Sequence, residues 1–501
     1  MLFCYLADMQ SSTTITTPIL SGNAFDALPE SIRSHIRCLE ATLQSLYVRI
    51  HELEARLAKN SSNSSKPPGS DGLKKPKTKS QREKSGKKPG GQQGHIGKGL
   101  LPREIPDVIV VHAPVSCSGC GSSLNEADGS CAERRQVFEI PRPVIEVTEH
   151  RVLEKTCPCC GEVTRAGFPE NVKGPVQYGN RVQALVAYFA HQHFVPVDRV
   201  CQIFEDVFDL KLSPGTCANV DEKLFQQLES FESGLKTYLL AARVLNFDET
   251  GMRCEKKLHW VHVTSSQMAT LYAIHAKRGQ EAMDEIDILP KFQGIAIHDH
   301  WAPYFSYQQL THGLCNAHHL RELTFIHEEE KEPWAKLMKD LLIIAKEEVE
   351  KYREQGALPK VTLEQIEQGY EQIITSGLAY HEQLIPLPKG KRGKQKQRDG
   401  KNLLDRLDKK RACVLLFMYD FSVDFTNNQG ERDIRMVKLK QKVGGCFRTS
   451  KGGRVFCRIR SYISTARKQS WNIWDALMDA INGSPKLLAI DQMAALQQVA
   501  V

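Results

Sequence analysis

Two short apolar segments that each end in an aspartate constrain the fold of this 501-residue chain more than any other feature. The segment "RVLNFDETG" reaches Asp248, and "GIAIHDHWAPYF" reaches Asp299. Two further β-rich segments, "LHWVHVTSS" and "ATLYAIHAK", lie between them. These patterns predict buried strands, and neighbouring strands would place the two carboxylates side by side.

Carboxylates that lie so close together are costly unless a cation bridges them. Mg²⁺, or Mn²⁺ in its place, accepts carboxylate oxygens and keeps positions for water and phosphate. Two such ions about 3.5–4 Å apart can activate the attacking oxygen and stabilise the leaving oxygen of a phosphoryl transfer. The pair Asp248 and Asp299 therefore predicts a divalent metal site that needs a third carboxylate.

Glu431 is the candidate for that third ligand. It lies in "NNQGERDIRMVKLKQK", and a helix that begins near Asn427 would place residues 431, 435 and 438 on one face. Residues 432–468 hold twelve Lys or Arg and a single acid, Asp433. The candidate contacts to DNA phosphate are Arg432, Arg435, Lys438, Lys440, Lys442 and Arg448. In the alternative interpretation Asp248 caps a turn, Asp299 starts a loop, and Glu431 forms a surface ion pair with Arg435.

Two cysteine pairs predict a structural zinc site. The pairs are Cys117 with Cys120 in "CSGCG" and Cys157 with Cys160 in "CPCCG", and four thiolates complete the tetrahedral coordination that Zn²⁺ prefers. The segment "RRQVFEIPRPVIEVTEHRVLEKT" between them is β-like and predicts a hairpin that brings the pairs together. Ordinary buried cysteines are the alternative.

A heptad pattern near the N-terminus predicts a dimeric coiled coil, and hence a homo-oligomer. Its apolar residues alternate at spacings of four and three: Ile32, Ile36, Leu39, Leu43, Leu46, Ile50, Leu53 and Leu57. The alternative is one amphipathic helix that packs on its own chain. The following segment, "NSSNSSKPPGSDG", cannot bury a core and predicts a linker that continues into a basic run. That run would either contact DNA phosphates or form a solvated tail.

Composition places the chain among cytoplasmic proteins. No apolar run approaches the ~18 residues of a membrane helix, and the N-terminus lacks the pattern of a secretion signal. Fifteen cysteines, an odd count, favour reduced thiols and metal ligands over a disulfide framework. Helical patterns over 178–240, broken at "LSPGT", predict either a helix-turn-helix DNA-reading unit or plain helical packing.

Cys315 and His318, in "HGLCNAHHL", form a Cys-x2-His pair that would either bind metal or order its loop, and the ordering role is favoured. The aromatic residues Trp260, Trp301 and Tyr304 flank the acids. They would either stack on an unpaired base near a cleaved DNA end or belong to the core, and for Trp260 the core is favoured.

The chain resembles the transposases of bacterial insertion-sequence family sixty-six, of the TnpC type. The resemblance rests on "NFDETG", "IHDHWAPY", "HGLCNAHHLREL", "NNQGERDIR" and "SYISTARKQSW". The N-terminal motifs also match those of the family, in the same order along the chain. It implies a DDE transposase with a ribonuclease-H-like catalytic domain, a helical insertion between the second Asp and the Glu, and Mg²⁺ at Asp248, Asp299 and Glu431. It also implies hydrolysis at each element end, attack of the freed 3′-hydroxyl on target DNA, small accessory proteins as partners, and association with the bacterial nucleoid.

The predicted fold is therefore multidomain, with an N-terminal α coiled coil, a small β-rich zinc-binding domain, a helical DNA-binding region and an α/β ribonuclease-H-like catalytic domain with a helical insertion. The predicted boundaries, in chain order, are coiled coil 28–59, disordered basic linker 60–100, zinc-binding domain 101–170, helix-turn-helix-like region 171–240, catalytic domain 241–327, helical insertion 328–412, second part of the catalytic domain 413–480 and C-terminal tail 481–501. There are two alternatives. One is a catalytically inert DNA-binding repressor or relic, and the other is a metal-dependent nuclease of another kind, such as a resolvase.

Overall fold

The computed structural model describes residues 25–60, 94, 99–384, 386–387 and 395–489. Helix α1 (Glu30–Ala58) covers the predicted coiled-coil segment. Seven of the eight predicted seam residues are exposed, and only Ile36 is half-buried. The described part of the chain therefore leaves the apolar stripe of α1 uncovered. The predicted linker, 60–100, and the last twelve residues of the predicted C-terminal tail lie almost entirely outside the described residues.

The region 101–170 contains little regular structure. Strands β1 (Glu154–Thr156) and β2 (Val163–Arg165) pair antiparallel around the second cysteine pair. Residues 131–153, all of them described, form no strand, so the hairpin predicted between the cysteine pairs is wrong. Its apolar residues are exposed, Val137 by 89% and Val147 by 86%. A strand pair is marginal without a buried face, and no core forms here to supply one.

Four helices follow, as the pattern over 178–240 predicts. They are α2 (Asn180–Ala187), extended by a π-helical turn (Tyr188–Gln192), α3 (Val197–Phe208), α4 (Pro214–Gln227) and α5 (Glu229–Leu240). Asp209 ends α3 in the left-handed region, with φ at 52°. Ser213 begins α4 by accepting a hydrogen bond from the Thr216 N–H, and Pro214 occupies the first turn, where no donor is lost. All four helices bury apolar residues in one core, which also contacts the sheet.

A five-stranded mixed sheet forms the centre of the molecule. Its strands are β3 (Val244–Cys254), β4 (Lys257–Ser265), β5 (Thr270–His275), β6 (Ile295–His298) and β7 (Thr311–Leu314), with helix α6 (Gln280–Ile286) between β5 and β6. The order across the sheet is β5-β4-β3-β6-β7. β4 runs antiparallel to both β3 and β5, whereas β6 runs parallel to β3 and β7 runs parallel to β6. Glu255 and Lys256 form the turn between β3 and β4, and both have positive φ, as a two-residue hairpin turn of this kind requires.

A group of helices follows β7 over residues 316–419, a range that includes the segment 328–412 predicted as an insertion. They are α7 (Asn316–Glu328), α8 (Pro333–Lys351), α9 (Lys360–Glu382), α10 (Asp399–Lys409) and α11 (Arg411–Tyr419). They bury their own core, which includes Trp334 and Tyr370 and contacts the sheet at Ile297 and Leu314. None of the helices in the described ranges is long and apolar enough to cross a membrane.

The last three helices are α12 (Asn428–Gly444), α13 (Ser450–Lys468) and α14 (Ile473–Ile481). α12 packs on β3, β4 and β5 through Ile434 and Val437. α13 covers the edge of β5, where the Ser461 and Thr465 hydroxyls accept hydrogen bonds from the Tyr272 and Thr270 N–H groups at 2.8 and 3.1 Å. These hydroxyls replace the missing neighbouring strand, so the edge is not open to another chain.

Candidate active site

Asp248 and Asp299 lie at the same level of two adjacent parallel strands. Asn246 of β3 pairs with Ile297 of β6, and each aspartate lies two residues further along its chain. β6 in turn pairs His298 with Leu314 of β7, which places Cys315 next in the same row. Because the carboxyl ends of parallel strands meet at one edge, these polar side chains collect there. The side chains of β3 alternate between faces, so Asp248 shares the face of Asn246, which contacts the start of α12.

Glu431 reaches this edge because Asn427 fixes the start of α12. The Asn427 side chain accepts a hydrogen bond from Asn246 Nδ2 at 2.9 Å and donates one to the Phe247 carbonyl at 2.7 Å. The Asn427 N–H donates to Cys315 Sγ at 3.1 Å, and the Asn427 carbonyl accepts from the Glu431 N–H at 3.0 Å. One buried residue therefore ties the first turn of α12 to β3 and to the end of β7. Sequence reasoning placed the helix start at Asn427 but assigned the residue no role.

A second buried residue, Asp433, fixes the side of α12 that faces the sheet. Its carboxylate accepts hydrogen bonds from Ser265 Oγ at 2.5 Å, Thr270 Oγ1 at 3.0 Å and Lys468 Nζ at 2.7 Å. It is 9% exposed, and its carbonyl accepts a hydrogen bond from the Tyr272 hydroxyl. The single acid of the basic tract is thus an internal anchor. The sequence contained one signal of this role: Asp433 lies two residues after Glu431 and therefore on the opposite side of the helix.

The site concentrates negative charge. Burial raises the pKa of Asp248 well above its ordinary value, and the neighbouring carboxylates of Glu249, Asp299 and Glu431 raise it further. Burial also raises the pKa of Asp299, although the Trp301 N–H donates to its Oδ1 at 3.0 Å. Asp248 therefore senses both other candidate acids. Without a cation, protonation is the means by which this cluster reduces its repulsion.

Glu431 is under-satisfied. Its side chain is 22% exposed, and its ion contacts to Arg321 and Arg435 are both long, at 3.8 Å. Oε1 is buried and finds no hydrogen-bond partner among the described residues. The predicted alternative of a pair with Arg435 thus occurs, but it does not satisfy the carboxylate.

The ligand atoms of Asp248, Asp299 and Glu431 do not form a group that one ion could join. In the described part of the chain, the one set of three potential ligand atoms within 4.8 Å of one another belongs to Cys315, His318 and Glu431. Burial raises the pKa of the Cys315 thiol to about 11 and lowers that of His318 to about 4, so both are neutral near pH 7 without a metal.

Glu249 is a fourth carboxylate, which sequence reasoning missed although it directly follows Asp248. Its side chain is 2% exposed and accepts hydrogen bonds from Arg278 Nε at 2.9 Å and the Tyr304 hydroxyl at 2.6 Å. The Arg278 guanidinium lies over the rings of Trp301 and Trp260, at 3.9 and 4.9 Å from their centroids. Tyr304 is 2% exposed, so of the two alternatives for this residue, base stacking and the core, the structure supports the core. The two tryptophans are half-buried, and they hold an arginine that partly neutralises the acids.

Comparison with known families decides the relationship. A family model described as "Transposase IS66 family" matches residues 175–455, which is more than half of the chain. The chain belongs to the IS66 family of transposases. The match contains Asp248, Asp299 and Glu431, and membership implies a protein that acts on DNA. A family of unknown function, DUF6444, matches residues 21–100, and no curated protein matches the chain.

The basic side chains of this IS66 transposase differ in what they contact. Five of the six predicted phosphate contacts are exposed, namely Arg432, Arg435, Lys438, Lys442 and Arg448. Lys440 is half-buried, and its Nζ donates to the Gly444 and Gly445 carbonyls at 3.1 and 3.0 Å. Lys440 thus terminates α12, and the other five remain candidates for DNA contact. Lys438 also donates to the Gly251 carbonyl at 2.7 Å.

The two cysteine pairs of the transposase lie in turns with the same hydrogen-bond pattern. The Cys117 N–H bonds the Ser122 carbonyl at 2.8 Å, and the Cys157 N–H bonds the Glu162 carbonyl at 2.7 Å. In each turn a glycine with positive φ, Gly121 or Gly161, donates its N–H to the carbonyl of the first cysteine. Neighbouring hydrogen-bonding groups lower the pKa of Cys120 to about 7, Ser122 contributing most. Within the described residues the two pairs do not meet as one group of ligands.

Proposed function

We propose that this IS66-family protein is a DDE transposase, which hydrolyses a phosphodiester at each end of its element and joins the freed 3′-hydroxyl to target DNA. The observation that carries the proposal is the shared level of Asp248 and Asp299 on parallel strands, with Glu431 held beside them by Asn427. The mixed sheet with helices on both faces supports the ribonuclease-H-like fold that the family resemblance implies.

Asp248, Asp299 and Glu431 would hold Mg²⁺ or Mn²⁺. The donor set fits, since hard divalent cations prefer carboxylate oxygens. Burial and the neighbouring carboxylates raise the pKa of Asp248, and Glu431 Oε1 is buried with no hydrogen-bond partner among the described residues. Asp248 interacts electrostatically with both other acids, so all three carboxylates would take part in holding the metal. Bound metal ions would supply activation of the attacking oxygen and stabilisation of the leaving oxygen.

The remaining residues of the site orient the DNA and the acids. Arg278 lies beside Asp299 and holds Glu249 at 2.5 Å, so one positive charge limits the repulsion between these carboxylates. Arg435 is 70% exposed one turn after Glu431 and is placed to meet a phosphate that binds at the acids. Exposed cations of the same helix extend the contact along the DNA backbone.

The N-terminal half would recognise DNA and assemble the protein. The two matching cysteine turns support a structural Zn²⁺ site at Cys117, Cys120, Cys157 and Cys160, which requires the two turns to come together on the ion. The uncovered apolar stripe of α1 supports a coiled-coil dimer. Helices α3 and α4 would serve as a helix-turn-helix-like unit, and small accessory proteins would be further partners.

The test uses the full-length protein and a linear duplex that carries the genomic sequence on either side of its gene, where the element ends lie. Mg²⁺-dependent release of a 3′-hydroxyl at the ends is the expected result for the wild type. Asp248→Asn and Glu431→Gln should abolish cleavage while DNA binding persists, and Asp340→Asn, an exposed acid of the insertion, should cleave normally. Binding without cleavage by the wild type would instead favour the inert DNA-binding alternative.

A further inference from the structure

Cys315, His318 and Glu431 bring three different ligand types to one point. Their potential ligand atoms all lie within 4.8 Å of one another. Cys315 is 1% exposed at the end of β7, His318 lies in the first turn of α7, and Glu431 lies in the first turn of α12. Residues 116 positions apart in the sequence thus meet because β7 and the two helices converge.

Backbone contacts hold this meeting point in place. The Asn316 N–H donates to the Phe425 carbonyl at 3.0 Å, and the Asn427 N–H donates to Cys315 Sγ at 3.1 Å. The segments before α7 and α12 are therefore joined directly, and both helices present their N-termini to the cluster. A helix N-terminus favours negative charge, so this position suits a thiolate and a carboxylate.

Two polar atoms of the cluster are buried and have no partner. His318 Nδ1 and Glu431 Oε1 make no hydrogen bond to any described residue. Buried polar atoms are normally satisfied by protein, water or an ion. Two such atoms beside a buried thiol indicate that water or an ion completes the cluster.

We propose that Cys315, His318 and Glu431 form a binding site for a borderline-soft divalent cation, of which Zn²⁺ fits best. Sulfur, imidazole nitrogen and carboxylate oxygen are the three donors that Zn²⁺ takes in proteins, whereas Mg²⁺ selects oxygen alone. Three protein ligands leave a fourth tetrahedral position for water. Glu431 is the third ligand that the Cys-x2-His spacing could not identify.

This site shares Glu431 with the proposed catalytic acids, so a zinc ion would compete for it. A Glu431 carboxylate drawn toward Cys315 and His318 is less free to serve with Asp248 and Asp299. Zn²⁺ would then inhibit Mg²⁺-dependent cleavage, and this consequence rests on the proposed transposase function. The zinc site itself does not rest on that function.

Cobalt substitution tests the site without any DNA cleavage. Co²⁺ is titrated into the metal-free full-length protein, and the near-ultraviolet thiolate-to-cobalt absorption is recorded for wild type, His318→Gln, Cys315→Ser and the control His327→Gln. His327 lies on the same helix, is half-buried, and is outside the cluster. The cysteine pairs at 117–120 and 157–160 contribute equally to every spectrum. Circular dichroism establishes that each variant is folded.

The expected result is that His318→Gln and Cys315→Ser lose the same part of the absorption and bind one Co²⁺ fewer per chain, whereas His327→Gln matches the wild type. Loss of an outer-shell partner alone weakens a metal site by roughly 10–100-fold, so loss of a ligand should weaken it at least as much. His318 Nδ1 makes no hydrogen bond to any described residue, so His318→Gln is the decisive variant. A His318→Gln spectrum and stoichiometry equal to those of wild type would overturn the site, even if DNA cleavage by wild type is observed.

Discussion

The anchoring of α12 by Asn427 leads to a quantitative prediction for Asn427→Ala. Asn427 is 2% exposed, and its side chain makes two hydrogen bonds, one from Asn246 Nδ2 and one to the Phe247 carbonyl. Asn246 is itself 5% exposed. The substitution therefore removes two bonds and leaves two buried groups without these partners. Each such group costs about 1–3 kcal/mol, so we expect the free energy of unfolding to fall by roughly 2–6 kcal/mol.

The assay is urea unfolding of the full-length protein, followed by tryptophan fluorescence, with Asn428→Ala as the matched control. Asn428 is the next residue and is exposed, so its replacement should change the free energy of unfolding by less than about 0.5 kcal/mol. Metal binding supplies a second readout. Because Asn427 fixes the helix that carries Glu431, Asn427→Ala should also weaken Mn²⁺ binding measured by calorimetry, and Asn428→Ala should not.

Equal stabilities of the Asn427→Ala and Asn428→Ala proteins would refute the anchoring argument. Such a result would mean that the hydrogen bonds to β3 exchange with water at no net cost. Lost stability with unchanged Mn²⁺ affinity would refute a narrower point, namely that the position of Glu431 depends on this anchor.

Three further predictions concern other parts of the molecule. The pKa of Asp248 is raised in the folded, metal-free protein, so its protonation stabilises the fold. This stability is complete below the unfolded-state pKa and is lost as pH rises through the folded-state pKa. Asp248→Asn should therefore reduce the pH dependence of the free energy of unfolding, measured by urea unfolding with chelator present. Removal of one partner of a buried ion pair costs about 3–5 kcal/mol. Asp433→Ala leaves Lys468 without its carboxylate partner, so it should lower the free energy of unfolding by that amount. A loss below about 1 kcal/mol would contradict this expectation. Replacement of Leu43 and Leu46 by Glu should convert the oligomer to monomer in analytical ultracentrifugation, and an unchanged mass would exclude the α1 stripe as the interface.

The sheet and the helices of this chain could be predicted because their signals are local. The apolar runs before Asp248 and Asp299 lie in β3 and β6, and the helix predicted to begin near Asn427 is α12. Periodicity depends on neighbouring residues only, so it predicts helices and strands without knowledge of the tertiary fold. The hairpin predicted between the cysteine pairs failed for the complementary reason. Alternating apolar residues form a strand only where a buried face and a partner exist, and Val137 finds neither.

The partners of each site residue could not be predicted, because they come from distant segments. Spacing along α12 indicated that Glu431 and Arg435 share a face, and they do. It gave no sign that Cys315 lies at the first turn of this helix, since that depends on the register of β7 against β6. Arg278 likewise reaches Glu249 and the two tryptophans only through the fold. The chemical type of a residue is known from the sequence, whereas its contact partners become known only from the arrangement of the strands.

The position of Glu431 between two kinds of ligand has a consequence for metal selection. On one side lie carboxylates, which a hard cation prefers, and on the other lie Cys315 and His318, which a softer cation prefers. A glutamate on the first turn of α12 has one backbone position and a flexible side chain, so it can serve only one of the two sets fully. The concentration and the affinity of each metal would then decide which set gains the carboxylate. Because Zn²⁺ binds such donors far more strongly than Mg²⁺ does, a small amount of free zinc would suffice to divert Glu431 from the aspartates.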